Sequence, residues 1–278
     1  MALKSTTSEL TRETDRPTPQ MVIVCGHPRS GTTMLRRLLN SHPDVMITME
    51  FRTFTRLGSP TYRYLRGLRW RFRQRELVQR PHRASPWRLL IDGVVFRLAF
   101  LVGIWLRCRG GRVSLRCVRS TLQAILPWAK VVGDKYPGYV FRLDRMAARP
   151  DVRCIVIYRD CRDVVSSTLA MAATGWKRRH FVSAMDTPSK VATRWVKAIA
   201  QQERNASVIL AIRYEDLVTD PGPVLARLGE FLGLNPGGFE QSIVRPTSIG
   251  KHRGQLSAEA LATIDTIAGD TMRRLGYL

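Results

Sequence analysis

Val22-Ile23-Val24-Cys25-Gly26-His27-Pro28-Arg29-Ser30-Gly31-Thr32-Thr33-Met34-Leu35 is the stretch whose reading decides the fold. Four apolar residues with strand character run into a turn broken by Gly26 and Pro28. Past Gly31, Met34, Leu35, Leu38 and Leu39 recur at helical spacing, with Arg36 and Arg37 expected to point away from them. A strand-turn-helix of this kind leaves backbone N–H groups unpaired at the positive end of a helix, where an oxyanion can accept them. Arg29, Ser30, Thr32 and Thr33 add side-chain donors around Gly31, so the turn is expected to be an anion cradle. No Lys occurs in it, which sets it apart from the phosphate loop of nucleotide triphosphatases. A helix start that is merely capped is the competing interpretation.

Downstream, Asp44 to Met49 has the character of a second strand ending at Glu50, with Arg52 and Arg56 four residues apart and on one face if that segment is helical. Lys130 to Lys135 is a third strand with a cation at its carboxyl end, followed by Pro137 and a helix toward Arg149. Cys154-Ile155-Val156-Ile157-Tyr158 is a buried-strand run, and Arg159-Asp160-Cys161-Arg162-Asp163 leads from it into a helix that Asp160 can cap. Ser167 lies four residues after Asp163 on the same helical stripe, so Ser167 and Arg159 can converge on one anion. Helical spacing runs from about Thr187 to Gln202, Ala206 to Ile212 is a last strand, and helices follow Asp220-Pro221 and Ser257. Strands alternating with helices predict an α/β fold, a mostly parallel sheet flanked by helices. Ligands in such sheets gather at the strand carboxyl ends, where Lys135 and Arg159 stand.

With 278 residues and 44% hydrophobic content, the chain can bury a full core as one domain with an insertion. Its net charge is +23, from 38 Arg and 7 Lys against 22 acids. Arg is the residue of bidentate contacts with phosphate, sulfate and carboxylate. The excess is concentrated: Arg52 to Arg119 holds 17 Arg and two acids, Glu76 and Asp92. That segment also mixes aromatics with apolar runs and has no strand-turn rhythm, so residues 52–129 are expected to form a basic helical insertion that binds an acidic molecule or an anionic membrane surface.

Five cysteines without C-x-x-C or His at metal spacing indicate neither a disulfide framework nor a zinc site, and no metal is expected. Residues 1–20 are polar and are expected to be a disordered arm lacking the apolar core of a signal peptide. The longest apolar run, Leu98 to Leu106, has nine residues, against the ~20 that span a bilayer. A cytoplasmic protein with peripheral membrane contact is the expectation.

Four motifs in order, Pro28-Arg29-Ser30-Gly31-Thr32-Thr33, Asp134-Lys135-Tyr136-Pro137, Tyr158 to Ser167, and Tyr214-Glu215-Asp216-Leu217, resemble the sulfotransferases that use 3′-phosphoadenosine 5′-phosphosulfate (PAPS). The resemblance covers about residues 21–278 and implies a P-loop-like sulfotransferase domain with the helical insertion. By resemblance, Arg29, Ser30, Gly31, Thr32 and Thr33 are similar to the loop that holds the 5′-phosphosulfate, and Arg159 and Ser167 to the pair that grips the 3′-phosphate. Tyr214 matches an adenine-side contact, and Ser248-Ile249-Gly250-Lys251 resembles the late phosphate-binding loop, with Lys251 as its cation. The placement of Glu50, Arg52 and Arg56 resembles tyrosylprotein sulfotransferases, which implies Glu50 as general base and the two arginines as contacts to an acidic acceptor. Lys135 matches that subgroup's lysine beside the transferred group, and His82 is the reserve base. The acceptor implied is a hydroxyl on tyrosine, carbohydrate, lipid or a small molecule, with PAPS as donor and 3′-phosphoadenosine 5′-phosphate (PAP) as product.

Two other functions fit parts of the chain. A kinase or nucleotide triphosphatase could use Arg159-Asp160 after its strand as a metal-binding acid, but the cradle lacks the lysine. A non-catalytic basic protein could bind membrane or nucleic acid, although no nucleic-acid-binding motif is visible and nucleic acid is not an expected partner. The oligomeric state is not legible. The sulfotransferase interpretation requires the first bend and the Arg159–Ser167 pair to open on one cleft.

Overall fold

Period-two alternation along the strands builds the sheet. In β1 (Gln20–Cys25), Met21, Ile23 and Cys25 face one side while Val22 and Val24 face the other, all of them buried. The computed structural model describes residues 20–68, 86–108, 111–175, 182–246 and 248–278, with the backbone alone for 86–93. The rest of the expected arm and His82 lie outside the described residues. Gln20, placed in the arm by sequence, instead opens β1 and pairs with Val131.

β1 leads through the turn into α1 (Thr32–Ser41), β2 (Val45–Met49), α2 (Thr61–Gly67), α3 (Pro86–Cys108) and α4 (Leu115–Ile125). Then come β3 (Val131–Lys135), a 3-10 segment (Pro137–Arg142), α5 (Leu143–Ala147), β4 (Val152–Tyr158) and α6 (Cys161–Ala173). The chain closes with α7 (Pro188–Arg204), β5 (Ile209–Arg213), α8 (Tyr214–Thr219), α9 (Pro221–Leu232) and α10 (Ala258–Arg274). Among the described residues, five strands run parallel in the order β2-β3-β1-β4-β5. The expected α/β architecture is therefore present.

One sheet face packs against α2, α3 and α4 through Phe54, Tyr64, Phe100, Ile104, Val118 and Leu122. The other packs against α1, α8 and α9 through Leu35, Leu38, Leu39, Leu217, Leu225 and Leu228. α6, α7 and α10 close a third cluster around Trp195, which is fully buried. The residues after Met49 differ from the conditional expectation: Arg52 to Ser59 form turns, not a helix, so Arg52 and Arg56 share no helical face.

The strand order positions the site. β1 lies at the point where the order reverses, with β3 on one side and β4 on the other, and in open parallel sheets such a switch point opens a crevice beyond the strand carboxyl ends. Register sets Cys25 beside Val156 on β4, Val24 beside Lys135 on β3, and Met49 of β2 beside Lys135. The turn after β1, Glu50, Lys135 and Arg159 thus emerge along one edge.

Candidate active site

The turn after β1 has the backbone of a cradle. Gly26 and Gly31 have φ of 147° and 99°, and Arg29, which is not glycine, has φ of 72°. A Cβ on Gly31 would stand 2.7 Å from the Tyr214 ring, so only glycine lets the chain pass beneath that ring. Gly31 caps α1 without any side-chain hydrogen bond, so the first N–H groups of the helix are not closed off by a cap. Ser30 is fully buried, and its Oγ has no hydrogen-bond partner. A buried unpaired hydroxyl is costly, and the structure sets Ser30, expected in the cradle, on a small void lined by Gly26, His27, Tyr158 and Trp195 instead of on the cleft that Arg29 and Gly31 line.

Arg159, at the end of β4, is 5% exposed and reaches across to the same turn. Its Nη1 donates to the Arg29 carbonyl at 3.4 Å, and its Nη2 lies 3.0 Å from Asp163 Oδ2 and donates to the Ser248 carbonyl. Its guanidinium stands 4.8 Å from the centroid of the Tyr214 ring. Arg29 Nε donates to Ser167 Oγ at 2.9 Å. Burial, with the neighbouring Arg159 charge, holds the Arg29 guanidinium below its usual pKa. Two guanidinium groups this close together, with Ser167 between them and the open cleft, constitute a site prepared for an anion.

Arg29, Gly31, Thr32, Thr33, Arg159, Ser167, Tyr214 and Lys251 all line one cavity of about 500 Å³. The first bend and the Arg159–Ser167 pair therefore share a cleft, as the sulfotransferase interpretation requires. The sequence missed how the late loop is held there. Asp163 accepts from the backbone N–H of Gly250 and of His252, each at 2.9 Å, and its Oδ1 lies 2.8 Å from His252 Nδ1. Burial pushes the Asp163 carboxyl up, but His252 and Arg159 outweigh it and hold the group below the usual carboxylate range. Arg245 and Gln255 also line the cavity, and only their position in space marks them.

Toward β2 and β3 stands the second cluster. Lys135 is 1% exposed, and its Nζ lies 3.1 Å from Glu50 Oε1 and 3.4 Å from Thr33 Oγ1, so it links the carboxylate to the cradle. Burial pulls the Lys135 pKa down, and Glu50 partly offsets this. Glu50 and Arg52 have φ of 57° and 60°, left-handed values that are unfavourable for residues with a Cβ. What holds them is Asp134, fully buried behind the turn. Its Oδ1 accepts from Thr48 Oγ1 at 2.7 Å and Phe51 N at 3.1 Å, and its Oδ2 from Arg52 N at 2.8 Å and Tyr139 Oη at 2.6 Å. A lone acid inside the strand-like run Gly133-Asp134-Lys135 was the signal for it in the sequence.

Arg52 lies 4.4 Å over the Tyr136 ring. Arg56 instead donates to the Arg63 carbonyl at 3.2 Å and packs against Gly67, on α2. Arg36, expected to point outward, is 2% exposed and donates to the Ile47 carbonyl at 3.4 Å. Burial lowers its pKa to about 10, with the Asp134 and Glu50 charges opposing the drop. The long Arg stem follows the helix side that faces the sheet edge, where acids wait. Among the described residues, no three His, Cys, Asp or Glu gather as a metal site.

A family model described as "Sulfotransferase family" matches residues 19–236. Protein-tyrosine sulfotransferase A of Caenorhabditis elegans is 24% identical, over 94% of this chain and 68% of its own length. Protein-tyrosine sulfotransferase 1 of Danio rerio is 25% identical, over 77% of this chain and 53% of its own length, so this chain spans about half of that relative. Among solved structures, the sulfotransferase domain of the Synechococcus PCC 7002 olefin synthase superposes with a TM-score of 0.51 at 18% identity, covering 90% of this chain and 88% of that one, a likeness of fold. With its motifs assembled on one sheet edge and the family match running from before β1 to past β5, this chain belongs to the sulfotransferase family.

Proposed function

We propose that the chain transfers a sulfuryl group from PAPS to a hydroxyl of an acidic acceptor, with Glu50 as general base. The observation that carries this is the convergence of Arg29, Arg159 and Ser167 with the Gly31 turn on one cavity. A nucleotide with anionic groups at both ends needs such a cleft. The space kept clear at Gly31, with Thr32 and Thr33 beside it, fits the sulfated end, Arg159, Ser167 and Lys251 fit the 3′-phosphate, and Tyr214 fits the adenosine side.

The donor, when bound, supplies the sulfuryl group and a leaving phosphate. Glu50 would take the acceptor's hydroxyl proton onto a carboxylate oxygen, held in place by Lys135 and by the turn that Asp134 fixes. Lys135, which bridges Glu50 and Thr33, would offset the negative charge that grows on the leaving oxygen, together with Arg29 and the cradle N–H groups. A sulfuryl group carries less negative charge than a phosphoryl group, so these cations can fill the place that a divalent metal takes in phosphoryl transfer.

The two curated relatives are named protein-tyrosine sulfotransferases, which supports a tyrosine hydroxyl in an acidic peptide as the first acceptor to try. Arg52, at the Glu50 turn, is the residue we assign to acceptor carboxylates, and Arg56 contributes through charge alone because its side chain is engaged on α2. The test is a transfer assay with radiolabelled PAPS over acidic tyrosine peptides, glycans, lipids and phenols, run beside Glu50→Gln. The variant is expected to bind PAP as the parent does and to lose transfer by about 10²- to 10⁴-fold. A Glu50→Gln protein with undiminished transfer would overturn the base assignment.

A further inference from the structure

α3 is apolar on two sides, and only one of them is covered. Phe96, Phe100 and Ile104 point inward and are buried, the first two lying about 6 Å from the ring of Phe51, the residue after Glu50. On the opposite side, Val94, Val95, Leu98, Val102, Trp105 and Leu106 repeat at three- and four-residue intervals and form one stripe. They are the exposed ones, with Leu98 at 57%, Trp105 at 54% and Leu106 at 62%. A helix that is hydrophobic all round is ordinarily covered all round. A contiguous stripe of this size is the mark of a surface that something else covers.

The surrounding charge says what covers it. The sequence from Arg52 to Arg119 carries 17 Arg against two acids. Arg63 and Arg66 on α2, Arg107 at the end of α3, Arg112 between α3 and α4, and Arg116 on α4 are all exposed, and α2 and α4 both pack on α3. A second copy of this chain on the stripe would bring two such arginine fields together, at a cost in like-charge repulsion. Anionic headgroups instead complement the arginines while the acyl boundary receives the apolar stripe, with Trp105 suited to the interface between them. Among the described residues no helix is long and apolar enough to cross a membrane, so the contact is with the bilayer surface.

We infer that α3 docks this protein on an anionic bilayer, its outward stripe buried in the interface and the flanking arginines on the headgroups. The inward face of the same helix touches Phe51, the residue after Glu50, so α3 itself stands between the docked surface and the turn that carries Glu50. The inference does not rest on the donor or the acceptor, and its test needs no transfer reaction.

The experiment is co-sedimentation of the full chain with vesicles of phosphatidylcholine plus phosphatidylglycerol, and with phosphatidylcholine alone, across a salt series. It is repeated with Leu98→Glu/Trp105→Glu, while light scattering reports the oligomeric state and thermal melting the fold. Both substituted side chains are exposed, so the variant should melt as the parent does. The parent is expected to sediment with the anionic vesicles at low salt and to release as salt rises. The double variant is expected to lose about tenfold or more of that partitioning. Failure of the parent to bind anionic vesicles, or equal binding by the double variant, would overturn the inference. So would a dimer of the parent that the double variant breaks, because the stripe would then belong to a second copy.

Discussion

Replacing Asp134 by Asn should separate the two halves of the site. The carboxylate takes five donors: Thr48 Oγ1 and Phe51 N on Oδ1, and Arg52 N, Thr53 N and Tyr139 Oη on Oδ2. Asn keeps its oxygen toward the three donors on the Oδ2 side and sets an NH₂ group against the two on the Oδ1 side. Hydrogen bonds to a charged group are worth about 1.5–3 kcal/mol each, so two lost bonds come to roughly 3–6 kcal/mol. Burial already pushes the Asp134 carboxyl up, and the neutral amide escapes that penalty, so we expect a net loss of about 3 kcal/mol. In a domain of this size that lowers Tm by roughly 6–12 °C. Glu50 and Arg52 hold left-handed backbone conformations, each costing about 1–2 kcal/mol, and would relax once released. Transfer should therefore fall by more than the loss of folded protein explains. PAP affinity should persist, because Arg29, Arg159 and Ser167 are anchored by other groups. Melting scans with and without PAP, beside the transfer assay, read all three quantities. Tyr139→Phe removes one donor and should show the same pattern at about half the size. A Tm within about 2 °C of the parent for Asp134→Asn, or loss of PAP affinity in step with transfer, would refute the reasoning.

Two further outcomes follow from the cradle. His27 is buried, and burial lowers its pKa to about 4 from 6.5, so the folded state keeps it neutral where the unfolded chain takes up a proton. Its contribution is complete above pH 6.5 and is lost as pH falls toward 4, about 3 kcal/mol in all. The melting temperature plotted against pH should be less steep in that window for His27→Asn than for the parent, and identical slopes would contradict the assignment. Gly31→Ala places a Cβ 2.7 Å from the Tyr214 ring at a φ of 99°. It should lower stability by about 1–2 kcal/mol from the backbone alone and weaken PAP binding, measured by calorimetry; an unchanged affinity would show that the turn is not the anion site.

Much of this site could be read from local patterns because strands, caps and turns are written locally. The run Val22 to Cys25, the Asp160 cap, whose carboxylate accepts from Arg162 N at 2.8 Å, and the Gly233 stop at φ 65° each depend on neighbours in sequence. Arg29 and Arg159 meet because the sheet sets β1 beside β4, an order that the alternation of strands and helices leaves open. What stayed hidden depends on partners distant in the chain. Asp134 serves a turn some eighty residues earlier, and Asp163 holds a loop nearly ninety residues later. Arg36 looked like a surface residue because charge ordinarily stays in water, yet its position on α1 faces the acids behind the sheet edge. The four-residue spacing of Arg52 and Arg56 misled because positive φ at Glu50 and Arg52 turns the chain away from a helix.

The central claim is that one cleft grips a nucleotide at both anionic ends. It is tested most directly by titrating PAP into the parent and into Ser167→Ala by calorimetry, without added metal, beside ATP with magnesium. The account predicts that the parent binds PAP in preference to ATP, and that Ser167→Ala binds PAP about tenfold more weakly, the worth of one hydrogen bond to a charged group. A parent that does not bind PAP, or a Ser167→Ala protein that binds it as tightly as the parent, would contradict it.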